Sequence, residues 1–251
     1  MTTLTPTPIG LPRLVKTHLG ALRAHRAGLI ALLLPAVAGT VVLGTVLANI
    51  TALTPDTQTT GLALYLGLLV LLAPVAGAVL AVDPWARRGV AVVLGVSSDR
   101  GRWFSAQALT ALLAGVLGFG LATALGGITT AAFAALDGQN LARLDGLLLE
   151  GFGSLLLSYA FGFALGAATR SVLFSLLIAI AVPFVLSAVH GLATLSPLAA
   201  DILSWLNVNA AFARLFHDGA LPLWQAITIT VLAIGGPLVI AVGRNATADL
   251  R

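Results

Sequence analysis

An all-α bundle that crosses a membrane six times is the fold this sequence predicts, and three observations predict it. Of 251 residues, 59% are hydrophobic and 9% charged, where soluble globular domains carry roughly 25% charged residues; the mean hydropathy is +1.03. The apolar segments are long enough for helices to cross a hydrocarbon core of about 30 Å, and none shows the short alternating strands of a barrel. Once those segments are marked, only Arg143 and Arg214 of the 13 Lys and Arg residues fall on one side. Positively charged short loops are retained inside, so both termini and two internal loops are assigned to the cytoplasm.

Residues 1–26 form a cytoplasmic tail. Its Thr- and Pro-rich start gives way to LPRLVKTHLGALRAHR, where Leu14, Val15, Leu19 and Leu22 share one helical face and Arg13, Lys16 and Arg23 lie off it. That pattern predicts an interfacial helix with its apolar face toward acyl chains. Basic residues ahead of an apolar run also mark signal peptides, but the run 28–50 outlasts an h-region of about 7 to 15 residues, so it reads as an uncleaved span.

The membrane domain covers 27–243, with spans at about 27–50, 61–82, 104–136, 147–169, 171–189 and 222–243. The loop 51–60 carries no Lys or Arg, whereas 83–103 carries Arg87, Arg88, Arg100 and Arg102 and lies inside. At about 1.5 Å per residue the third span runs to roughly 50 Å, more than a bilayer needs, so part of it must tilt, break or project. Arg170 alone marks the internal turn between spans four and five. Residues 190–221 are too apolar for a free loop and too interrupted for a span; they predict one or two short helices dipping into the outer leaflet. Pro222 suits a first helical position, and 244–251 returns to the cytoplasm. Trp85 and Trp103 flank the internal loop, and Trp205 and Trp224 belong to the outer interface. Interior prolines at Pro35, Pro74, Pro183 and Pro237 predict kinks, and Gly162 with Gly166, like Gly115, Gly118 and Gly120, predicts close helix packing.

This reading narrows the chemistry. The net charge of +4 consists of loop retention signals beside an anionic leaflet, which excludes a nucleic-acid partner and makes membrane lipid the surrounding one. Without cysteine there is no disulfide or thiolate metal site, and the four histidines lack acidic partners at ligand spacing, so no metal site is expected. The stretch GLPRLVKT from Gly10 matches a phosphate loop except that Val15 replaces its second glycine, and no buried strand precedes it, so nucleotide hydrolysis is not expected in this chain. No G-x-S-x-G elbow or intramembrane acidic array supports a membrane enzyme.

Two features remain. Glu150 is the one acidic residue placed within a span, near its outer end. Intramembrane carboxylates serve proton relays and cation sites, so it is a possible transport carboxylate, with an interfacial structural role paired to Arg143 as the alternative. The internal loop between spans two and three has an apolar run, VAVVLGV, bracketed by arginines, and an unbroken apolar run fits a solvated loop poorly. Such a turn beneath the bundle offers a surface on which a soluble partner can push.

At this loop the chain resembles the permease subunits of ABC-2 type exporters, which include bacterial drug and antibiotic exporters. Gly89, Leu94, Ser98 and Arg100 match the spacing of that family's coupling helix, while Val90 stands for its frequent Thr, its proline is missing near Val96 and Ser97, and Gln107 occupies the region of its frequent Lys. The resemblance implies a multi-pass protein of the bacterial cell membrane, a dimer with a second copy or paralogue, and a separate cytoplasmic ATP-binding subunit. It places ATP and Mg on that partner, with no cofactor in this chain. Arg87, Arg88, Gly89, Leu94, Ser98, Arg100 and Arg102 are then the expected coupling surface, and spans one, two and five line the route of an apolar or amphipathic cargo. The competing expectation is a secondary transporter driven by protons through Glu150. No substrate-contacting residue can be named from the sequence.

Overall fold

The computed structural model describes residues 10–24, 26–50, 54–86, 100–183, 185, 197–217, 219 and 221–247. Among them the protein is all-α, with nine α-helices: α1 (Leu11–Ala24), α2 (Arg26–Ala48), α3 (Pro55–Ala86), α4 (Arg100–Leu136), α5 (Asp145–Thr169), α6 (Val172–Leu176), α7 (Pro197–Leu206), α8 (Val208–Arg214) and α9 (Leu223–Thr247). A π-helical turn, Leu177–Ala181, continues α6. Four of these helices, α3, α4, α5 and α9, are long and apolar enough to cross a membrane; Leu33–Ala48 and Val172–Ala181 are shorter apolar segments.

The helix ends differ from the expected spans for local reasons. Helix α3 begins at Pro55, inside what the sequence presents as a polar loop, because Thr54 caps it. The Thr54 hydroxyl accepts from the Thr57 N–H at 3.4 Å, Pro55 needs no donor at the first position, and Asp56 faces the positive end of the dipole. Helix α4 is a single 37-residue rod, about 56 Å at ~1.5 Å per residue, so the long third segment does not break. Pro222 lies one residue before α9, its carbonyl accepting from the Ala226 N–H at 3.1 Å. Beyond α6 the wide π turn precedes Pro183, whose ring in a regular α-helix would collide with the carbonyl of Ala179. The segment read as a dipping external region yields two short helices, α7 and α8.

The α3–α5 seam is the tightest in the bundle. A Cβ on Gly77 would fall on the Tyr159 carbonyl, and one on Gly162 would fall on the Pro74 backbone. At Gly166 it would sit 2.9 Å from the Cα of Ala78. Only glycine permits backbones this close, and in lipid such contact is a main source of helix association. Tyr159 then crosses to α4: its hydroxyl donates to the Ala111 carbonyl at 2.7 Å and its ring fills the space opposite Gly115. Tyr65 does the same from α3, donating to the Ala122 carbonyl at 2.8 Å, with its ring against Gly39 and Gly126.

Outward faces are apolar too. Leu34, Val37 and Val41 on α2, Leu112 and Leu117 on α4, and Val231, Leu232 and Val239 on α9 are all exposed. Contiguous apolar surface on this scale needs a lipid or protein neighbour rather than water.

Candidate functional site

One end of the bundle gathers basic and aromatic side chains from five helices. Helix α5 stops at Thr169, and Arg170 turns the chain in the left-handed region, φ 55°, its N–H donating to the Gly166 carbonyl at 2.8 Å. A non-glycine residue in that conformation is held by its surroundings, and here they are specific. The Arg170 guanidinium lies 3.9 Å from the centre of the Trp85 ring, a cation–π contact from α5 to the end of α3. Trp85 meets Trp103 of α4 edge-on at 5.7 Å, and Trp103 meets His18 of α1 at 5.5 Å. Burial holds the His18 imidazole below its ordinary pKa.

Helix α9 closes the same end. Arg170 Nη2 donates to Asn245 Oδ1 at 2.9 Å and to the Arg244 carbonyl at 3.3 Å. Arg244 Nη1 donates to the Ala168 carbonyl, one of the orphan acceptors at the end of α5. Arg100 Nη1 donates to the Asn245 carbonyl at 3.4 Å. The Arg170 guanidinium is held below its ordinary pKa by burial and by repulsion from Arg244. Slightly deeper, Gln107 Nε2 donates to the carbonyls of Leu80 and Ala81 at 3.3 and 3.0 Å. The Leu80 carbonyl would bond the N–H four residues on, which Pro84 lacks, so the amide from α4 takes the place of the missing donor.

Of the expected coupling surface, Arg100 and Arg102 open α4 at this end, and Arg100 joins the cluster. Arg87, Arg88, Gly89, Leu94 and Ser98 lie outside the described residues. The cluster flanks them on both sides, through Trp85 near the end of α3 and Arg100 at the start of α4.

Glu150 lies toward the opposite end, in the second turn of α5, and its partner is not Arg143. Its Oε2 is 3.7 Å from His217 Nδ1, brought there by the chain after α8, where Phe216 packs onto Gly153. Arg214 fixes that chain by donating to the carbonyls of Leu221 at 2.7 Å and His217 at 3.1 Å. Gln58, fully buried, clamps the α4–α5 connection, donating to the Asn140 carbonyl at 3.1 Å and accepting from the Ala142 N–H at 3.0 Å. Trp205 and Trp224 meet at 5.5 Å, near Gln225, whose Nε2 donates to Ser204 Oγ at 2.9 Å.

Sequence reasoning missed Gln58 and Asn245, and it gave Gln107 no partner. The available signal was an isolated amide inside or at the edge of an apolar helix, where it must find a partner. Among the described residues no group of three or more His, Asp or Glu is placed to hold a metal ion. The chain matches no protein-family model, and no curated protein matches it.

Proposed function

We propose that this chain is the membrane-spanning permease subunit of an ATP-driven exporter of the ABC-2 kind. It would cross the bacterial cell membrane six times with both termini inside, α2 to α6 supplying the first five spans and α9 the sixth. It would work as a dimer with a copy or paralogue of itself, moving an apolar or amphipathic substrate. The observation that carries this reading is the basic and aromatic cluster in which α1, α3, α4, α5 and α9 converge, and which includes Trp85 and Arg100, on either side of 87–99 in the chain.

A cytoplasmic ATP-binding subunit pressing on that connection acts at the fixed ends of two long helices. Force on Arg100 enters α4, which is unbroken to Leu136 and tied to α3 by Gln107. The glycine seam passes displacement of α3 to α5, and the arginine bonds to Ala168 and Asn245 pass it to α9. Packed elements with little free space move as units rather than deform locally. In this scheme Arg87, Arg88, Gly89, Leu94, Ser98, Arg100 and Arg102 form the coupling surface.

The test asks whether an adjacent gene encodes a phosphate-loop ATPase and co-expresses that protein with this chain. The two should purify together, and substrate-stimulated hydrolysis should fall in Arg100→Ala and Leu94→Ala while the complex stays intact. Transport that persists without ATP and stops in Glu150→Gln would instead establish a proton-driven carrier.

A further inference from the structure

The arginine pair at the basic end has more positive charge than its contacts balance. Arg170 and Arg244 bond backbone carbonyls and an amide oxygen, all neutral acceptors. The C-terminal dipoles of α5 and α9 offer roughly half a negative charge each, so two full cations against them leave about one unit of positive charge. Arg170 Nε is buried with no hydrogen-bond partner, an orphan donor on a guanidinium that an acceptor would normally satisfy. The two guanidiniums repel each other, and an anion bound to both would relieve that repulsion.

Exposed apolar side chains adjoin both arginines along the chain. Leu173 and Phe174, on α6 just after Arg170, are exposed, as are Val239, Ile240 and Val242 on the last turns of α9 before Arg244. A ligand that puts phosphate oxygens on the guanidiniums and hydrocarbon on these side chains has the chemistry of a phospholipid. Trp85 beneath Arg170 belongs to the same interfacial level.

We infer that Arg170 and Arg244 form a binding site for the phosphate of an anionic phospholipid headgroup, whose acyl chains lie along the exposed faces of α6 and α9. The inference rests on the chain being embedded in a bilayer, and is independent of which energy source drives it. Bound lipid would balance the guanidinium charge and brace the α5–α6 turn against the end of α9.

The experiment is native mass spectrometry of the full chain, exchanged from detergent into nanodiscs of phosphatidylglycerol or of phosphatidylcholine. Retention of phosphatidylglycerol should exceed that of phosphatidylcholine and fall by about tenfold or more in Arg244→Gln, the scale of a lost charge-assisted bond. Arg244→Lys, which keeps the charge, should retain most of it, and Arg143→Gln at the other end should change nothing. If Arg244→Gln fails to fold, Arg170→Lys, which keeps the charge but loses the forked guanidinium, should still weaken retention. Equal retention of both lipids, or undiminished phosphatidylglycerol in folded Arg244→Gln, overturns the site. Displacement of the lipid by millimolar inorganic phosphate overturns the lipid and leaves a free phosphate as occupant.

Discussion

Replacing Gly162 by alanine places one methyl group against the backbone of Pro74. A flexible side chain could turn aside, but a helix backbone cannot, so the whole α3–α5 seam must open. Opening by 0.5–1 Å forfeits about a quarter to a half of each contact well; over ~40 atom pairs of ~0.1–0.2 kcal/mol, the loss is about 1–4 kcal/mol. Alanine returns up to ~1 kcal/mol through its better helix propensity, leaving a net destabilisation of about 0–3 kcal/mol, whose upper part is the usual range for overpacking. Gly67 on the same helix α3 has nothing within 4 Å of an added Cβ, so Gly67→Ala should be neutral or slightly stabilising. Unfolding both variants in mixed micelles of increasing denaturing detergent measures the difference directly. Gly162→Ala as stable as Gly67→Ala would refute the backbone contact and, with it, the proposed coupling of α3 to α5.

Gln58→Leu strips two backbone groups of the 140–142 segment of their partners; it should cost about 1–3 kcal/mol and hasten tryptic cleavage after the exposed Arg143. Gln107→Leu orphans the Leu80 carbonyl but also removes Gln107 Oε1, itself buried without a partner, so thermal unfolding should show a smaller loss, about 0.5–1.5 kcal/mol. Because burial holds His18 below the ordinary 6.5, the chain with α1 undocked binds more protons than the docked one. Docking is then complete above about pH 6.5 and weakens as pH falls below it, levelling off under the lowered value. Amide exchange in α1, corrected for its intrinsic pH dependence, should rise in mild acid, and His18→Gln should abolish that rise.

Periodicity and composition made the helices legible because an apolar run needs no knowledge of its neighbours. The Gly162–Gly166 pair was readable as a packing face for the same reason, although Gly77 and Pro74 as its counterpart were not. Chain ends were less legible: Thr54 and Pro55 look like loop residues until the cap is considered with the helix it starts. Least legible were partners distant in sequence. Glu150 has Arg143 nearby in the chain, but Phe216 against Gly153 brings His217 instead. Gln107 could be assigned a partner only by noticing which carbonyl Pro84 leaves without a donor on another helix.

The four tryptophans sit as two edge-on pairs, Trp85–Trp103 and Trp205–Trp224, at opposite ends of a helix array about 30 Å long between Trp224 and Arg244 of α9. Each pair therefore forms a separate chromophore. One lies against an ionisable imidazole and a guanidinium, both able to alter its emission; the other lies where α7 meets the start of α9. Variants that keep one pair and replace the other with phenylalanine give an unlabelled protein whose intrinsic fluorescence watches a single end. Events at the basic end and the far end can then be timed against each other.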